Sequence, residues 1–204
     1  MSEVQRRMEA QLGKLNALAP LGYAAGIHIR FARPLHMRST LPQSWQEIYV
    51  ERSYHLRDPM LFWGMSNGGV VRWSEIALPD PFGVLTEAAM HGLRFGATAS
   101  TGRITSRTVV GAARDDREFT DQEMAEIDEI THALHAATEP PSDLSDGQAA
   151  ALRLLAEGYR IPAAAAELGI PEDQLRRRIG EARDHLGAAT TAEAIKMARE
   201  NRFI

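Results

Sequence analysis

The chain of 204 residues contains no cysteine, which excludes a disulfide framework, a cysteine-ligated zinc ion and a thiol nucleophile. No apolar run reaches about 18 residues, the length that spans a bilayer, and no charged-then-apolar signal segment opens the chain. We identify no nucleophile elbow, zinc-protease motif or phosphate-binding loop. We therefore expect a cytoplasmic protein with no membrane partner, no cofactor and no enzymatic activity.

The apolar spacing after residue 143 predicts four helices. The first begins near Ser145 and Asp146, which are typical N-cap residues, and ends at Gly158. A short second helix ends at Gly169, and Pro171 precedes a third. Four apolar residues of the third helix recur at helical spacing and predict one buried stripe: Leu175, Ile179, Ala182 and Leu186. This order of helices predicts a helix-turn-helix, with DNA as the partner.

The third helix carries three consecutive arginines. The buried stripe predicts that Arg177 and Arg178 face away from it, where the planar guanidinium can contact phosphate or guanine. From Ser142 onward, however, nine basic residues stand against ten acidic ones, whereas a strong DNA binder usually has a basic surplus. A solvated helix face is the alternative interpretation. The candidate DNA-binding residues are Gln174, Arg176, Arg177, Arg178, Arg160 and Tyr159.

From Leu144 to Ile204 the chain resembles the effector domain of LuxR-type transcription factors. The residues that carry the resemblance are Leu144, Leu152, Gly158, Leu168, Gly169, Ile170, Leu186, Gly187 and Ile204. Several positions differ from the residues common in that family, namely Gln148, the alanines at 163–166, Arg178 and Thr191. The resemblance implies a four-helix, DNA-binding domain.

Paired prolines at 140 and 141 predict a linker at 139–143, which divides the chain into a domain at 1–138 and a domain at 144–204. In the first domain, a helix precedes a strand from Tyr23 to Phe31, with Ile27, Ile29 and Phe31 on one face. Paired strands at 95–100 and 108–113 and a last helix at 121–137 follow. The predicted fold class is α+β, an α/β/α sandwich followed by the all-α helix-turn-helix domain.

Aromatic residues form only 6% of the chain, yet several are concentrated between residues 45 and 73. Trp45 and Tyr49 lie four positions apart and share a helix face. Asp58 lies among these aromatic residues, where a carboxylate needs a hydrogen-bond partner. The segment therefore indicates a site for a polar ligand. The alternative is an aromatic core in which Asp58 caps a backbone amide.

The same spacing resembles the autoinducer-binding domain of the LuxR family, through Trp45, Tyr49, Asp58, Pro59, Trp73 and Gly96. The resemblance implies that an acyl-homoserine lactone or a similar small amphiphile is the ligand. In that case, the indole N–H of Trp45 donates to the ring carbonyl, and Asp58 accepts from the amide N–H. The candidate ligand-binding residues are Trp45, Tyr49, Asp58, Trp73, Leu41, Tyr54 and Met60.

Leu41 departs from this resemblance, because many family members have a tyrosine four residues before the tryptophan. In those members the tyrosine hydroxyl donates a hydrogen bond to the amide carbonyl of the ligand, so this chain lacks that donor. The sequence offers four substitutes besides an ordered water: Arg38, Thr40, Ser106 and Thr108.

The two resemblances imply a homodimeric transcription regulator that binds DNA and a small-molecule autoinducer. The apolar helices at 121–137 and 192–199 are the expected dimer surfaces. The alternative is a LuxR solo or anti-activator that binds DNA weakly and acts as a heterodimer with a related regulator. His132 and His135 have a spacing that could bind a metal, but without a carboxylate cluster we expect a solvated helix face and no metal.

Overall fold

The computed structural model describes residues 3–30, 33–139 and 144–204. The chain divides into two compact units, Met1–Glu139 and Pro140–Ile204. The predicted linker lies outside the described residues except for Glu139, and so does Phe31. No helix in the described ranges is both long and apolar enough to cross a membrane.

The first unit alternates helices and strands, as the sequence predicts. Its helices are α1 (Glu3–Leu18), α2 (Gln43–Glu51), α3 (Pro59–Ser66), α4 (Val84–Met90) and α5 (Asp121–Ala137). Its strands are β1 (Gly22–Arg30), β2 (Arg33–Ser39), β3 (Gly69–Arg72), β4 (Phe95–Thr101) and β5 (Arg107–Arg114). Short 3-10 turns lie at Tyr54–Leu56, Trp73–Glu75 and Ile104–Ser106.

The strands form one antiparallel sheet in the order β2-β1-β5-β4-β3. Its first face, here called the packed face, is covered by α1 and α5. The main side chains buried there are Met8, Leu12, Leu15, Ala25, Ile27, Ala97, Ala99, Val110, Ala112, Phe119, Ile127 and Leu134. The opposite face, here called the cavity face, is turned towards α2, α3 and α4. The unit is therefore an α/β/α sandwich.

Strand β1 does not keep its predicted alternation. Ile27 lies in the core of the packed face, whereas Ile29 lies on the cavity face. The reason is a register shift between Gly26 and Ile29, where His28 adopts a positive φ of 50°. The prediction that Ile27 and Ile29 share a face is wrong, because the extra residue reverses the side on which the strand places its next side chain.

The bulge buries His28 in a polar cluster with α5. The His28 ring donates from Nε2 to the His135 carbonyl at 3.0 Å and accepts at Nδ1 from the Ser106 hydroxyl at 2.9 Å. The rings of His28 and His135 stack with centroids 4.3 Å apart. Burial, together with the proximity of His135, lowers the pKa of His28 to about 4. The imidazole is therefore neutral at pH 7.

Helix α5 has the predicted bounds and begins with a capping box between Thr120 and Glu123. Its apolar side chains Met124, Ile127, Ile130 and Leu134 are buried within the first unit. The expectation that this helix has apolar surface to spare for a dimer is therefore wrong, because the sheet uses that surface.

The second unit consists of α6 (Asp146–Ala156), α7 (Ile161–Glu167), α8 (Glu172–Leu186) and α9 (Thr191–Glu200). The predicted stripe of α8 is buried as expected. Ser145 and Gln148 form a capping box at the start of α6, so the glutamine fulfils the capping role despite its departure from the family pattern. Ala164 and Ala165 of α7 pack against Leu175 and Ile179 of α8, where small side chains allow close approach.

Candidate functional site

A cavity of about 870 Å³ lies between the cavity face of the sheet and helices α2, α3 and α4. This volume is in the range of small-molecule sites. Most lining side chains are apolar or aromatic, and the polar ones include Ser39, Gln46, Tyr49, Asp58 and Thr98. The sheet contributes small floor residues, and the helices contribute the walls.

Asp58 is the buried acid of this cavity. It caps the N-terminus of α3, where its Oδ1 accepts from the backbone N–H of Met60 at 2.8 Å. Its Oδ2 accepts from the hydroxyl of Tyr49 at 2.8 Å. Burial raises the pKa of Asp58, and these hydrogen bonds partly oppose that shift. Burial and the charge of Asp58 also raise the pKa of Tyr49. A carboxylate has about four lone-pair sites, so Asp58 can accept from a further donor.

Trp45 is only 4% exposed and lies in a cluster of aromatic rings. Its ring makes an edge contact with Tyr49 at 5.6 Å and a tilted contact with Tyr54 at 5.9 Å between centroids. Within the described part of the chain, its indole N–H has no hydrogen-bond partner. A buried indole usually has such a partner. Because Trp45 lines the cavity, this donor is available to a ligand.

Trp73 is held by the sheet. Its Nε1 donates to the Thr98 hydroxyl at 3.0 Å, so this N–H is already used. A side chain at Gly96 would overlap the indole ring of Trp73, because the ring lies directly on the strand backbone there. Trp73 therefore acts as a wall of the cavity, and Gly96 is required for its placement.

The structure brings six of the seven candidate ligand residues to the cavity: Leu41, Trp45, Tyr49, Asp58, Met60 and Trp73. Tyr54 does not line it. Its ring packs behind Trp45, and its hydroxyl donates to Glu87, which also accepts from Arg52 at 2.7 Å. Tyr54 therefore supports the aromatic wall from behind, which corrects its predicted position at the ligand.

None of the four substitutes predicted for the missing donor lines the cavity. Thr40 accepts from the backbone of Tyr23, and Arg38 pairs with Glu9. Ser106 and Thr108 both bond to the imidazoles of the packed face.

Two other hydroxyl residues line the cavity, and sequence reasoning missed both. Ser39 of β2 lies opposite Ala24 of β1, and Thr98 of β4 lies opposite Gly111 of β5. The signal for Thr98 was its period-two spacing from Gly96 within a predicted strand. Ser39 carried no such signal because β2 was not predicted. This strand lies at the edge of the sheet, contains Pro34 and is only partly buried along its length.

The cavity opens through an apolar rim. Among the described residues, five large hydrophobic side chains are exposed and also line the cavity: Met37, Val50, Leu56, Phe62 and Phe82. The guanidinium of Arg57 lies 4.9 Å from the centroid of the Phe82 ring, which is a cation–π distance. The rim can therefore accept apolar material that extends out of the cavity.

In the second unit, the arginines of α8 have local partners. Arg176 pairs with Glu172 at 3.4 Å, and Arg177 pairs with Glu181 at 3.8 Å. The prediction that Arg178 faces away is wrong, since it is half-buried with its guanidinium against Gly147 of α6. Gln174 is half-buried, whereas Tyr159 and Arg160 are exposed in the connection to α7.

His132 and His135 are not simply a solvated helix face. Their Nδ1 atoms bond the hydroxyls of Thr101 and Thr108, each at 2.9 Å. Among the residues that the structure describes, no group of three or more His, Cys, Asp or Glu side chains could hold a metal ion.

Residues 64–68 spell G-x-S-x-G, which the sequence interpretation overlooked. Ser66 ends helix α3, and strand β3 follows after a turn. A nucleophile elbow requires the opposite order, a strand followed by a turn and a helix. The motif therefore has a different structural origin: a side chain at Gly64 would come within 2.6 Å of Val109 on the sheet.

Comparison with known proteins identifies similarity across the chain. The family model described as "Autoinducer binding domain" matches residues 23–138. The crystal structure of Escherichia coli SdiA aligns with a TM-score of 0.56 at 18% identity, covering 100% of this chain and 93% of that chain. SdiA in complex with octanoyl-rac-glycerol aligns with a TM-score of 0.56 at 19% identity, covering 98% and 89%.

The N-acylhomoserine lactone dependent LuxR family transcription factor CepR2 from Burkholderia cenocepacia aligns with a TM-score of 0.54 at 23% identity. That alignment covers 67% of this chain and 89% of CepR2. At these identities the likeness concerns the fold. No curated protein matches the chain.

Proposed function

The chain belongs to the autoinducer binding domain family, and from this membership we propose that it is a LuxR-type, DNA-binding transcription regulator controlled by an acyl-homoserine lactone or a similar small amphiphile. The observation that carries the proposal is the pairing of two polar groups in an apolar cavity. One is the indole N–H of Trp45, which has no hydrogen-bond partner among the described residues, and the other is the buried carboxylate of Asp58.

These two groups match the head group of an acyl-homoserine lactone. The Trp45 N–H donates to the ring carbonyl, and Asp58 accepts from the amide N–H while it keeps its bonds to Tyr49 and Met60. A ligand that lacks either group leaves a polar partner unsatisfied, at a cost of about 1–3 kcal/mol. Leu41, Met60 and the apolar rim suit an apolar acyl group.

Thermal unfolding with a panel of acyl-homoserine lactones tests the ligand half of this proposal. A ligand that binds only the folded state raises its stability by RT ln(1 + [L]/Kd). We expect a rise in melting temperature for the wild type and its loss in Trp45→Phe, which removes the N–H but keeps an aromatic ring. Trp63→Phe is the matched control, since Trp63 does not line the cavity. The absence of a shift with every lactone would contradict the proposal.

We assign the proposed DNA binding to the second unit. Arg176 and Arg177 are exposed on α8, and their ion pairs are weak enough for phosphate oxygens to replace the glutamates. With α8 as the reading helix, a homodimer presents two copies to half-sites about one helical turn apart. The expected result is sequence-selective retardation of promoter fragments by the purified cytoplasmic protein, weakened in Arg177→Ala. Measurement of the mass in solution tests the homodimer.

A second candidate function rests on those same arginines. Arg176 and Arg177 are paired with acids of their own helix, and Arg178 packs against α6, so these three arginines of α8 present little unpaired positive charge. This favours a solo or anti-activator that pairs with a related regulator and binds DNA weakly. If no fragment is retarded even at low salt, while co-expression with a related regulator yields a stable heterodimer, this second function replaces the first.

A further inference from the structure

The indole ring of Trp45 is supported by two rings that belong to other segments. Tyr54, in the 3-10 turn after α2, lies 5.9 Å from it between centroids, and His91, which caps the C-terminus of α4, lies 5.8 Å from it. In the part of the chain that the structure describes, neither ring lines the cavity. The indole N–H itself has no partner among the described residues, so packing rather than a hydrogen bond places the Trp45 ring.

The Tyr54 ring is fixed by a polar cluster that reaches α4. Its hydroxyl donates to a carboxylate oxygen of Glu87. Arg52, at the end of α2, donates to the same oxygen at 2.7 Å and to the Tyr54 hydroxyl at 3.2 Å. The Glu87 side chain is 18% exposed, against 54% for Arg52, so the carboxylate is the inner member of the pair. Tyr54 is only 4% exposed, and its buried hydroxyl gives the ring a directional link that packing alone does not provide.

A second polar contact fixes the other supporting ring. His91 Nδ1 and the Ser44 hydroxyl, on α2, form a hydrogen bond of 2.9 Å. Both contacts therefore join the α2 segment to α4 through a ring that touches Trp45. This construction matters for ligand binding because a hydrogen bond weakens steeply as its angle departs from linear, and a binding group must be held within roughly 10–20° of its productive direction.

We propose that Tyr54 and Glu87 are positioning residues that determine specificity: they hold Trp45 so that its N–H meets the ring carbonyl of the ligand. This inference rests on the proposed ligand function. Without the link between Tyr54 and Glu87, the indole is free to tilt, and ligands that carry the carbonyl lose their advantage over ligands that lack it. Tyr54 also contacts Tyr49, the partner of Asp58, at 6.0 Å between centroids. A loss through Asp58 weakens both kinds of ligand, so only the ratio of their affinities reports on Trp45.

The test compares N-octanoyl-homoserine lactone with N-octanoyl-3-aminotetrahydrofuran, which has the same ring and amide but no ring carbonyl. Dissociation constants are measured for the full-length wild type and for Trp45→Phe, Tyr54→Phe, Glu87→Ala and Glu87→Gln. Glutamine keeps a carbonyl oxygen that can accept from the Tyr54 hydroxyl. Tyr23→Phe is the matched control, since Tyr23 is 5% exposed but lies in the core of the packed face. The melting temperature of each variant without ligand shows whether it folds.

We expect the wild type to bind the lactone at least about tenfold more tightly than the tetrahydrofuran. Trp45→Phe removes this preference, and Tyr54→Phe and Glu87→Ala reduce it to about threefold or less. Glu87→Gln and Tyr23→Phe keep the wild-type ratio. If Glu87→Ala does not fold, Tyr54→Phe decides the question, because it keeps the ring.

A wild-type ratio in Tyr54→Phe, with both ligands weakened equally or not at all, overturns the positioning role and leaves the proposed function intact. Equal binding of the two ligands by the wild type also overturns it, since no carbonyl is then read, while binding of a small amphiphile stands. Binding of neither compound, nor of any other lactone, overturns both the inference and the proposed function.

Discussion

The two faces of the sheet are built from the same strands, yet helices pack closely on one of them and leave a cavity of about 870 Å³ against the other. On β5, Val110 and Ala112 point into a core closed by α1 and α5, whereas Val109 and Gly111 point into the cavity. On β1, Ala25 and Ile27 belong to the core, while Ala24 and Gly26 belong to the cavity floor. The packed face provides stability, and the cavity face leaves volume for a ligand. Strand alternation lets one sheet do both.

The largest expected effect is on the packed face. Ile127→Ala removes a side chain that is 0% exposed in the core, so the free energy of unfolding should fall by about 2–5 kcal/mol. Urea denaturation measures the change. An equal fall in the free energy of unfolding in Val109→Ala, on the cavity face, would contradict the difference between the two faces.

Gly96→Ala should have the next largest effect, because a methyl group there overlaps the Trp73 ring. We expect a loss of about 1–3 kcal/mol in the free energy of unfolding, together with loss of the lactone-induced rise in melting temperature. Gly180→Ala is the control, since it has open space around the added methyl group. Unchanged lactone binding in Gly96→Ala would show that Trp73 is not a wall of the site.

One residue on each face, His28 and Asp58, should make the free energy of unfolding depend on pH, and the two contributions should have opposite signs. The pKa of His28 is lowered to about 4, so between about 6.5 and 4 the unfolded chain binds a proton that the folded chain does not. His28 therefore costs stability as pH falls through that window. The pKa of Asp58 is raised, so the folded chain keeps a proton that the unfolded chain loses as pH rises above about 4. Asp58 therefore costs stability as pH rises.

Urea denaturation at a series of pH values separates the two contributions. His28→Asn, chosen because asparagine tolerates a positive φ, should flatten the loss of stability on the acid side. The free energy of unfolding of Asp58→Asn, relative to that of the wild type, should instead increase as pH rises above about 4. The same slope in both variants would contradict the assignment of these two groups to differently constructed faces.

The smallest expected effect is a gain. Gly111→Ala adds a methyl group to open space in the middle of a strand, so the free energy of unfolding without ligand should rise by about 0.5–1 kcal/mol. Thermal and urea unfolding of the ligand-free protein measure it. A destabilised variant would mean that the floor is less open than the geometry indicates.

Much of the architecture could be predicted because it depends on local periodicity. The stripe of Leu175, Ile179, Ala182 and Leu186 is buried, and α5 spans residues 121–137 as expected. Trp45, Tyr49, Asp58 and Trp73 were found from their concentration in one aromatic segment and from a resemblance in spacing. Strand β2 was missed because an edge strand with a proline and partly exposed residues lacks a strong alternating pattern.

Contacts between residues distant in the chain account for the errors. Tyr54 donates to Glu87, and Arg178 packs on Gly147, which no spacing rule predicts. The bulge at His28 likewise arises where β1 meets β5 and α5, and it moves Ile29 to the cavity face.

By itself, the sequence determined the helices, most strands, the α+β class and the set of polar and aromatic residues available for a ligand, because apolar periodicity and capping act within a few residues. Only the tertiary structure decided which of those residues face one cavity, which donors are already used, and which strand residues lie beneath them. Those properties depend on strand register and on packing between distant segments, where a shift of one residue moves a side chain to the opposite face.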